Sequence, residues 1–433
     1  MPVPFLIFAT IAITLTVPLV AYRARGKPYG IYSLITLVLS LPAACLVFVR
    51  VHAILSPAFA ELASLIYAWG LAATATHMIA LARPRLRSPA FRRGISMPGM
   101  AFMAGGALSV PWLLLLLPVR LLLALIGADE LRNTLVWLDL LPAMIALLSV
   151  KTSRGARWEI VQFSLTGRGS ADLRRAEVHR RAGPTDNPRE PGVLRLVQIT
   201  DPHLGPWQPI DRLHERISKL IDLDPDLVVL TGDLLTMEGA GSPGALARAL
   251  APLRRLPDRC FAIFGNHDHE WPEEVRDALQ SAGVRLLDDE EALLETPAGS
   301  VQLVGADWRG KSRAEQIPAL LEKCPRRPGY TRILLLHDPA AFHHVPADDV
   351  DLVLSGHTHG GQVGLLSLGI DWTVLSRTRW PDNGLFVRGR SRLYVHRGTG
   401  FYGFPLRIGV PGEASRLDIE LPRHEEDTEP VGV

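Results

Sequence analysis

Four stretches in the first 126 residues, Val3–Tyr22, Gly30–Val49, Phe59–Ala82 and Ala101–Ile126, are apolar almost throughout. A helix needs roughly 20 such residues to cross the hydrocarbon core of a bilayer, where every backbone polar group must be bonded within the segment. All four meet that length. A fifth stretch, Asn133–Val150, is near the lower limit and carries Asp139. The sequence therefore predicts a transmembrane helical domain over residues 1–150, with about five helices. The first stretch lacks a basic n-region and a small-residue cleavage pattern, so it reads as an anchor rather than a signal peptide. Arg120 and Asp139 are the charges to explain. Both are expected near helix ends with their side chains reaching the interface, the alternative being a polar site between helices.

Charge is unevenly divided. Residues 1–150 hold 11 Lys/Arg against 4 Asp/Glu, and the remainder holds 35 against 40. With five crossings, one side of the membrane receives Arg23, Arg25, Lys27, the cluster Arg83 to Arg93, and Lys151, Arg154 and Arg157. The other receives only Arg50 and Arg132. Positively charged loops stay in the cytoplasm, so the chain after Val150 is expected on the cytoplasmic face of a bacterial inner membrane. That placement depends on the fifth stretch crossing. The slightly acidic remainder argues against sequence-blind binding to nucleic acid, which requires Lys and Arg to neutralise phosphates. The three cysteines are scattered without paired spacing, which leaves no disulfide framework or thiolate zinc site to read.

Residues 151–192 read as a linker with the first strands of a soluble domain, including Trp158–Leu165 and a surface loop at Gly183–Gly192. From Val193 the pattern becomes short apolar runs separated by helix-like segments. Leu194–Ile199, Leu227–Leu230, Cys260–Phe264, Ile333–Leu336 and Leu352–Leu354 read as buried strands, with helices at Arg212–Ile221 and Glu273–Ala282. Such alternation implies α/β layers over a core of residues 193–423. The acidic end, residues 424–433, is expected to be disordered.

Every one of those five strands runs directly into residues that can ligate metal. They are Asp201-Pro202-His203, Gly232-Asp233, Gly265-Asn266-His267-Asp268, His337, and Gly356-His357-Thr358-His359-Gly360-Gly361-Gln362. In open α/β sheets ligands bind outside the carboxyl ends of strands, so these residues can converge on one edge. If extended, Asp201 with His203 and His357 with His359 would each present two donors to the same side. Carboxylate, imidazole and amide oxygen together suit first-row divalent metals. Two such ions can polarise a phosphoryl oxygen and stabilise both axial oxygens of an in-line displacement. A bridging carboxylate and an uncommitted imidazole are also needed, and Asp233 and His267 are candidates. Singly, Asp-x-His and Gly-Asp are common; all five motifs in order at strand ends are not.

The ordered set Asp201-x-His203, Gly232-Asp233, Gly265-Asn266-His267-Asp268, His337 and Gly356-His357-x-His359 resembles the calcineurin-like metallophosphoesterases. Gly360-Gly361-Gln362 and Arg397-Gly398-Thr399-Gly400 resemble the bacterial branch of YkuE/YaeI-like phosphodiesterases. Membrane helices followed by such a domain are similar to the transmembrane proteins with a metallophosphoesterase domain. The resemblance covers about Trp158 to Pro422. It implies a four-layer α/β/β/α sandwich with two central mixed sheets. It also implies one metal on Asp201, His203, Asp233 and His359, and a second on Asp233, Asn266, His337 and His357. His267 would then be the general acid or transition-state stabiliser, paired with a carboxylate that Asp268 could supply.

These observations set the expected function: a membrane-anchored hydrolase cleaving phosphodiester or pyrophosphate bonds, lipid-linked ones included, by in-line attack of metal-bound hydroxide. The cofactors would be two divalent ions from among manganese, iron, zinc and magnesium. Arg397 is expected either to contact substrate phosphate or to be structural. A nuclease or phosphomonoesterase of the same fold is the enzymatic alternative. A membrane sensor that only binds a phosphorylated ligand is the non-enzymatic one, and the complete ligand set weighs against it. A transporter reading is weighed against by the scarcity of internal charge and by the absence of a paired repeat.

Overall fold

The computed structural model describes residues 1–183, 188–378 and 380–422. The tail expected to be disordered therefore lies outside the described residues, as do four residues of the expected loop at Gly183–Gly192. The chain divides into two compact units, Met1–Ser153 with Gly403–Leu406, and Arg154–Tyr402 with the residues from Arg407 onward.

The first unit holds five helical segments long and apolar enough to cross a membrane: Val3–Arg25, Lys27–His52, Pro57–Ala80, Pro89–Leu125 and Asp129–Arg154. The fourth starts earlier than its apolar run, and the fifth is a composite interrupted by a 3-10 stretch, Leu135–Leu140, around Asp139. Small residues sit where the helices approach most closely. A side chain at Gly99 would strike the backbone of Ala73, and one at Gly106 the backbone of Ser40. Large apolar side chains such as Phe8, Leu115 and Leu148 point outward instead. The expectation for the internal charges requires correction. Arg50 and Arg120 do lie toward helix ends, but Asp139 sits in the 3-10 stretch inside the fifth segment and is fully buried. It bonds Arg50 at 2.9 Å and also pairs with Arg120. Opposite charges this close neutralise each other internally, so the side chains have no need to reach the interface.

In the second unit, β1 (Ala156–Ser164), β2 (Arg174–Ala176) and β3 (His179–Ala182) come first. Next are β4 (Val193–Ile199), β5 (Leu227–Leu230), β6 (Cys260–Ala262) and β7 (Arg285–Leu286). The second half adds β8 (Glu290–Thr296), β9 (Gly299–Ala306), β10 (Thr331–Leu336) and β11 (Leu352–Ser355). It closes with β12 (Gly384–Arg388), β13 (Ser391–Val395) and β14 (Gly412–Glu420). One seven-stranded sheet runs β3-β1-β14-β4-β5-β6-β7 and the other β2-β12-β13-β11-β10-β9-β8. Both are mixed: β4 to β7 are parallel while β14 is antiparallel to β4, and β9 to β11 are parallel while β8 is antiparallel to β9. The segment read as linker thus supplies strands to both sheets.

The sheets share one apolar core, in which Leu194, Leu196 and Val229 of one meet Leu303, Leu335 and Leu354 of the other. Burying each of these side chains contributes about 1.5–3 kcal/mol. The outer face of the second sheet packs Leu334 and Val353 against Ile317 and Leu320 of helix Arg313–Lys323 and against Phe342. On the other side helix Ile210–Ile221 packs against β14 and against helix Ala245–Leu250. Its apolar Leu213, Ile217 and Leu220 recur at the helical period and face inward. The layer order is α/β/β/α, as the resemblance implied. Directly beneath the ligand-bearing edge, the Gln198 amide donates to the Thr231 hydroxyl at 2.9 Å and to the Ser355 carbonyl at 3.0 Å, joining the two sheets.

Candidate metal centre

The carboxyl ends of β4, β5, β10 and β11, with the segment after β6, meet at one edge and bring the five motifs together. Asp201, His203 and His359 have ligand atoms within 4.8 Å of one another, and so do Asp233, His337 and His357. Asp233 lies between the two groups, its carboxylate 3.4 Å from His337 Nε2 and 3.7 Å from His203 Nε2. Asn266 Oδ1 is 3.2 Å from His337 Nε2, and His357 Nδ1 faces that same nitrogen at 3.2 Å.

The backbone that achieves this is not the extended chain the spacing suggested. Asp201, His203, Asp233, His357, His359 and Gln362 all have positive φ. Six of the ten non-glycine residues in that region among the described residues therefore belong to these motifs. Each such residue costs on the order of 1 kcal/mol or more and persists only where the surroundings impose it. As a result His357 and His359 do not face the same side. They point into different groups. Gly232 has φ 95°, and a Cβ at Gly356 would collide with Thr200 and Asp201, so both positions require glycine.

Neighbours hold the donors in place. The Nδ1–H of His337 donates to the Thr231 carbonyl at 2.7 Å, which leaves Nε2 free to bind. Asp201 accepts from the Thr200 hydroxyl at 2.6 Å and from the His357 amide. Asp268 does not pair with His267. It is buried and accepts the backbone amides of Gly265, Asp233 and Leu234 at 2.7–2.9 Å, fixing the two loops side by side. The carboxylate on His267 is that of Glu270, 2.9 Å from Nδ1, because the turn Asp268–Glu270 folds that residue back. Of the two alternatives for Arg397 the structural one fits: it is buried with its guanidinium on Glu159 at 2.6 Å and Glu413 at 3.2 Å.

The residues fit divalent cations. His203 Nε2 is buried with no hydrogen-bond partner among the described residues, an arrangement that costs free energy unless something binds it. Burial pushes the His203 imidazole down to about 3 and His357 to about 4, so both are neutral, as ligands must be. Burial also raises Asp201, to about 6, while His337, although buried, is pushed up to about 10 by Asp233 and Asp201. A proton on His337 thus balances those carboxylates, a role a divalent cation can take over.

A cavity of about 200 Å³ opens over the donors and is lined by His203, Asp233, His267, His357, Gln362 and Tyr402, among others. Tyr402 packs on the rings of His267 and His203, with centroids 4.4 and 4.9 Å away. Tyr402 and Glu270 are the site residues sequence reasoning missed. Tyr402 lies two residues past the Arg397–Gly400 motif and Glu270 three past His267, so extending each motif by one turn would have reached them.

Comparison with known proteins identifies the family to which this region is similar. The calcineurin-like phosphoesterase family matches residues 194–361. Phosphodiesterase YaeI of Escherichia coli is 29% identical over 248 residues, covering 56% of this chain and 86% of that one. The transmembrane protein with metallophosphoesterase domain of Danio rerio is 32% identical over 245 residues, covering 52% and 53%. The chain thus spans about half the length of that transmembrane relative. UDP-2,3-diacylglucosamine pyrophosphatase LpxG of Chlamydia trachomatis is 26% identical over 263 residues, covering 48% and 78%. With the candidate ligand motifs at their strand ends and five apolar helices before them, the chain carries a calcineurin-like phosphoesterase domain over residues 194–361 and is similar there to the YaeI and YkuE proteins.

Proposed function

We propose that the chain is a membrane-anchored phosphodiesterase or pyrophosphatase with a dinuclear metal centre. The observation that carries this reading is Asp233, a buried carboxylate shared between two groups of donors. Asp201, His203, Asp233 and His359 would hold one divalent ion, and Asp233, Asn266, His337 and His357 the other. Bound there, the two ions would lower the pKa of a water and polarise the phosphoryl oxygen for in-line displacement.

The chain's own residues supply the remainder. His267 lines the cavity and is uncommitted to either donor group. Despite burial, Glu270 and Asp233 raise its pKa, so it can carry a proton to the leaving oxygen. Glu270 holds Nδ1 and thereby turns Nε2 toward substrate. Tyr402 closes one wall beside His267 and His203. Anchoring beside a bilayer favours a phosphodiester or pyrophosphate joined to a lipid, and the similarity to LpxG, a UDP-2,3-diacylglucosamine pyrophosphatase, is consistent with that substrate class. The basic loops support a cytoplasmic face for the catalytic unit in a bacterial inner membrane.

The test is hydrolysis of bis(p-nitrophenyl) phosphate by the full-length protein with manganese and, in parallel, iron, zinc and magnesium. Turnover well above that of Asp233→Asn protein is expected. Equal rates for the two proteins with every metal would end the enzymatic reading.

A further inference from the structure

Among the described residues of the catalytic unit, every exposed large apolar side chain except Leu293 lies in one short segment. These are Leu365, Leu368, Ile370, Trp372, Val374 and Trp380, with Leu368 73% and Ile370 52% exposed. A water-soluble surface scatters such residues singly; a contiguous group marks a place where something apolar is met.

The segment is continuous with the metal pocket. It begins at Gly361 and Gln362, which line the cavity, and Val374 and Leu375 close over Gly361, where a Cβ would meet both side chains at 3.1 Å. It is also firmly held. Leu365 N–H donates to the Trp372 carbonyl at 2.8 Å and Val374 N–H to the Val363 carbonyl at 3.0 Å, making a small hairpin. The Thr373 hydroxyl donates to Asp382 at 2.6 Å, while the Asp382 carbonyl accepts from Thr358 of the ligand motif. The apolar tip is therefore presented by a rigid base rather than by a loop free to fold its side chains away.

We propose that residues 365–378, with Trp380, dip into the surface of the lipid bilayer and bring the mouth of the metal pocket against lipid-borne substrate. Three observations select lipid as the occupant. The same chain carries five helices apolar enough to span a bilayer. Two of the six side chains are tryptophans, whose amphipathic rings favour the headgroup level. Arg377 is exposed beside them, and the one acidic residue in the hairpin, Asp371, is neutralised by Arg175 at 3.0 Å, so the tip suits an anionic leaflet. The substrate part of this proposal rests on the phosphodiesterase reading; the docking part does not.

Full-length protein is reconstituted in phosphatidylethanolamine–phosphatidylglycerol vesicles, in a Cys45→Ser background. An environment-sensitive fluorophore is attached at Leu368→Cys or, as control, at Leu293→Cys. The label at 368 is expected to shift to the blue and to be quenched by nitroxide-bearing lipids, while that at 293 reports water. A water-like signal at 368 overturns the proposal. So does a shielded signal without nitroxide quenching, which would mean that protein, a second copy included, covers the segment. In the second arm Leu368→Asp/Ile370→Asp protein is given p-nitrophenyl phosphatidate in vesicles and bis(p-nitrophenyl) phosphate in solution. Turnover of the lipid substrate is expected to fall about tenfold with the soluble one unchanged. Equal loss on both, or no loss on the lipid, overturns substrate delivery. Should the parent protein hydrolyse neither, the phosphodiesterase reading fails while the fluorescence still decides docking.

Discussion

Two clusters of buried charge lie in the catalytic unit, and they are built on opposite plans. In one, Glu159, Arg397, Glu413 and Arg180 satisfy one another. Arg397 and Arg180 each bond Glu159 at 2.6 Å, and Glu413 accepts from Arg397, Tyr394 and Ser415. In the other, Asp201, His203, Asp233, His337, His357 and His359 gather their ligand atoms around a common space, and His203 Nε2 has no hydrogen-bond partner among the described residues. Burial is similar in both. The difference is whether opposite charge comes from arginines, which stay charged, or from a proton on His337 that a divalent cation can replace. A cluster that closes on itself fixes structure, while one that does not is prepared for a cation from outside.

The largest consequence concerns His267, which takes part in neither cluster. His267→Ala is expected to lower kcat by about 10²–10⁴-fold, the range for loss of a general acid, with metal content unchanged. Rate and metal analysis on one preparation check both halves. Loss of metal along with rate would move His267 into the ligand set.

Next comes the self-satisfied cluster. Glu413→Gln leaves buried Arg397 and half-buried Arg180 short of a counter-charge and should cost about 3–5 kcal/mol in denaturant unfolding, without altering metal content of the folded protein. Burial disfavours the Glu413 carboxylate, but His396, Arg397 and Arg180 overcome this and hold its pKa well below the ordinary range. Its contribution is therefore complete above the usual glutamate value of about 4.3 and is lost as pH falls toward the depressed folded value. The substituted protein should accordingly show a shallower loss of stability with acid. An unchanged acid limb would mean that Glu413 matters less than its contacts suggest.

A smaller effect is expected at Glu270, a positioning residue that acts through His267. Glu270→Gln should reduce kcat by about tenfold and KM little, since orientation of the ring is weakened rather than removed. Glu270→Asp should recover part of the loss, which a purely structural role for the side chain would not predict.

How much of this was legible beforehand follows from the same physics. The apolar strands β4, β5, β10 and β11 and the ligands at their ends stand out because a fully buried parallel strand reads as an unbroken apolar run. β14 could not be seen that way: it is buried almost throughout, yet its sequence is Gly-Glu-Ala-Ser-Arg-Leu-Asp-Ile-Glu. Its polar side chains are buried only because Arg416 bonds Asp418 and Glu413 bonds Arg397, and such pairing leaves no periodic trace. Asp139 was misread for a related reason, since its partners Arg50 and Arg120 are 89 and 19 residues away. Left-handed backbone at Asp201, His203, His357 and His359 was equally hidden, because spacing fixes which residues are near and not the dihedral angles that aim them. Glu270 and Tyr402 escaped because each acts through a neighbour in the motifs rather than as part of one.

The contrast between the clusters is tested most directly by counting metal in purified full-length protein by elemental analysis. Two divalent ions per chain are expected for the natural sequence and for Glu413→Gln, and a clear deficit for Asp233→Asn, the residue shared between the two donor groups. A single ion per chain after saturation with manganese, iron or zinc, or full occupancy in Asp233→Asn, would contradict the dinuclear centre.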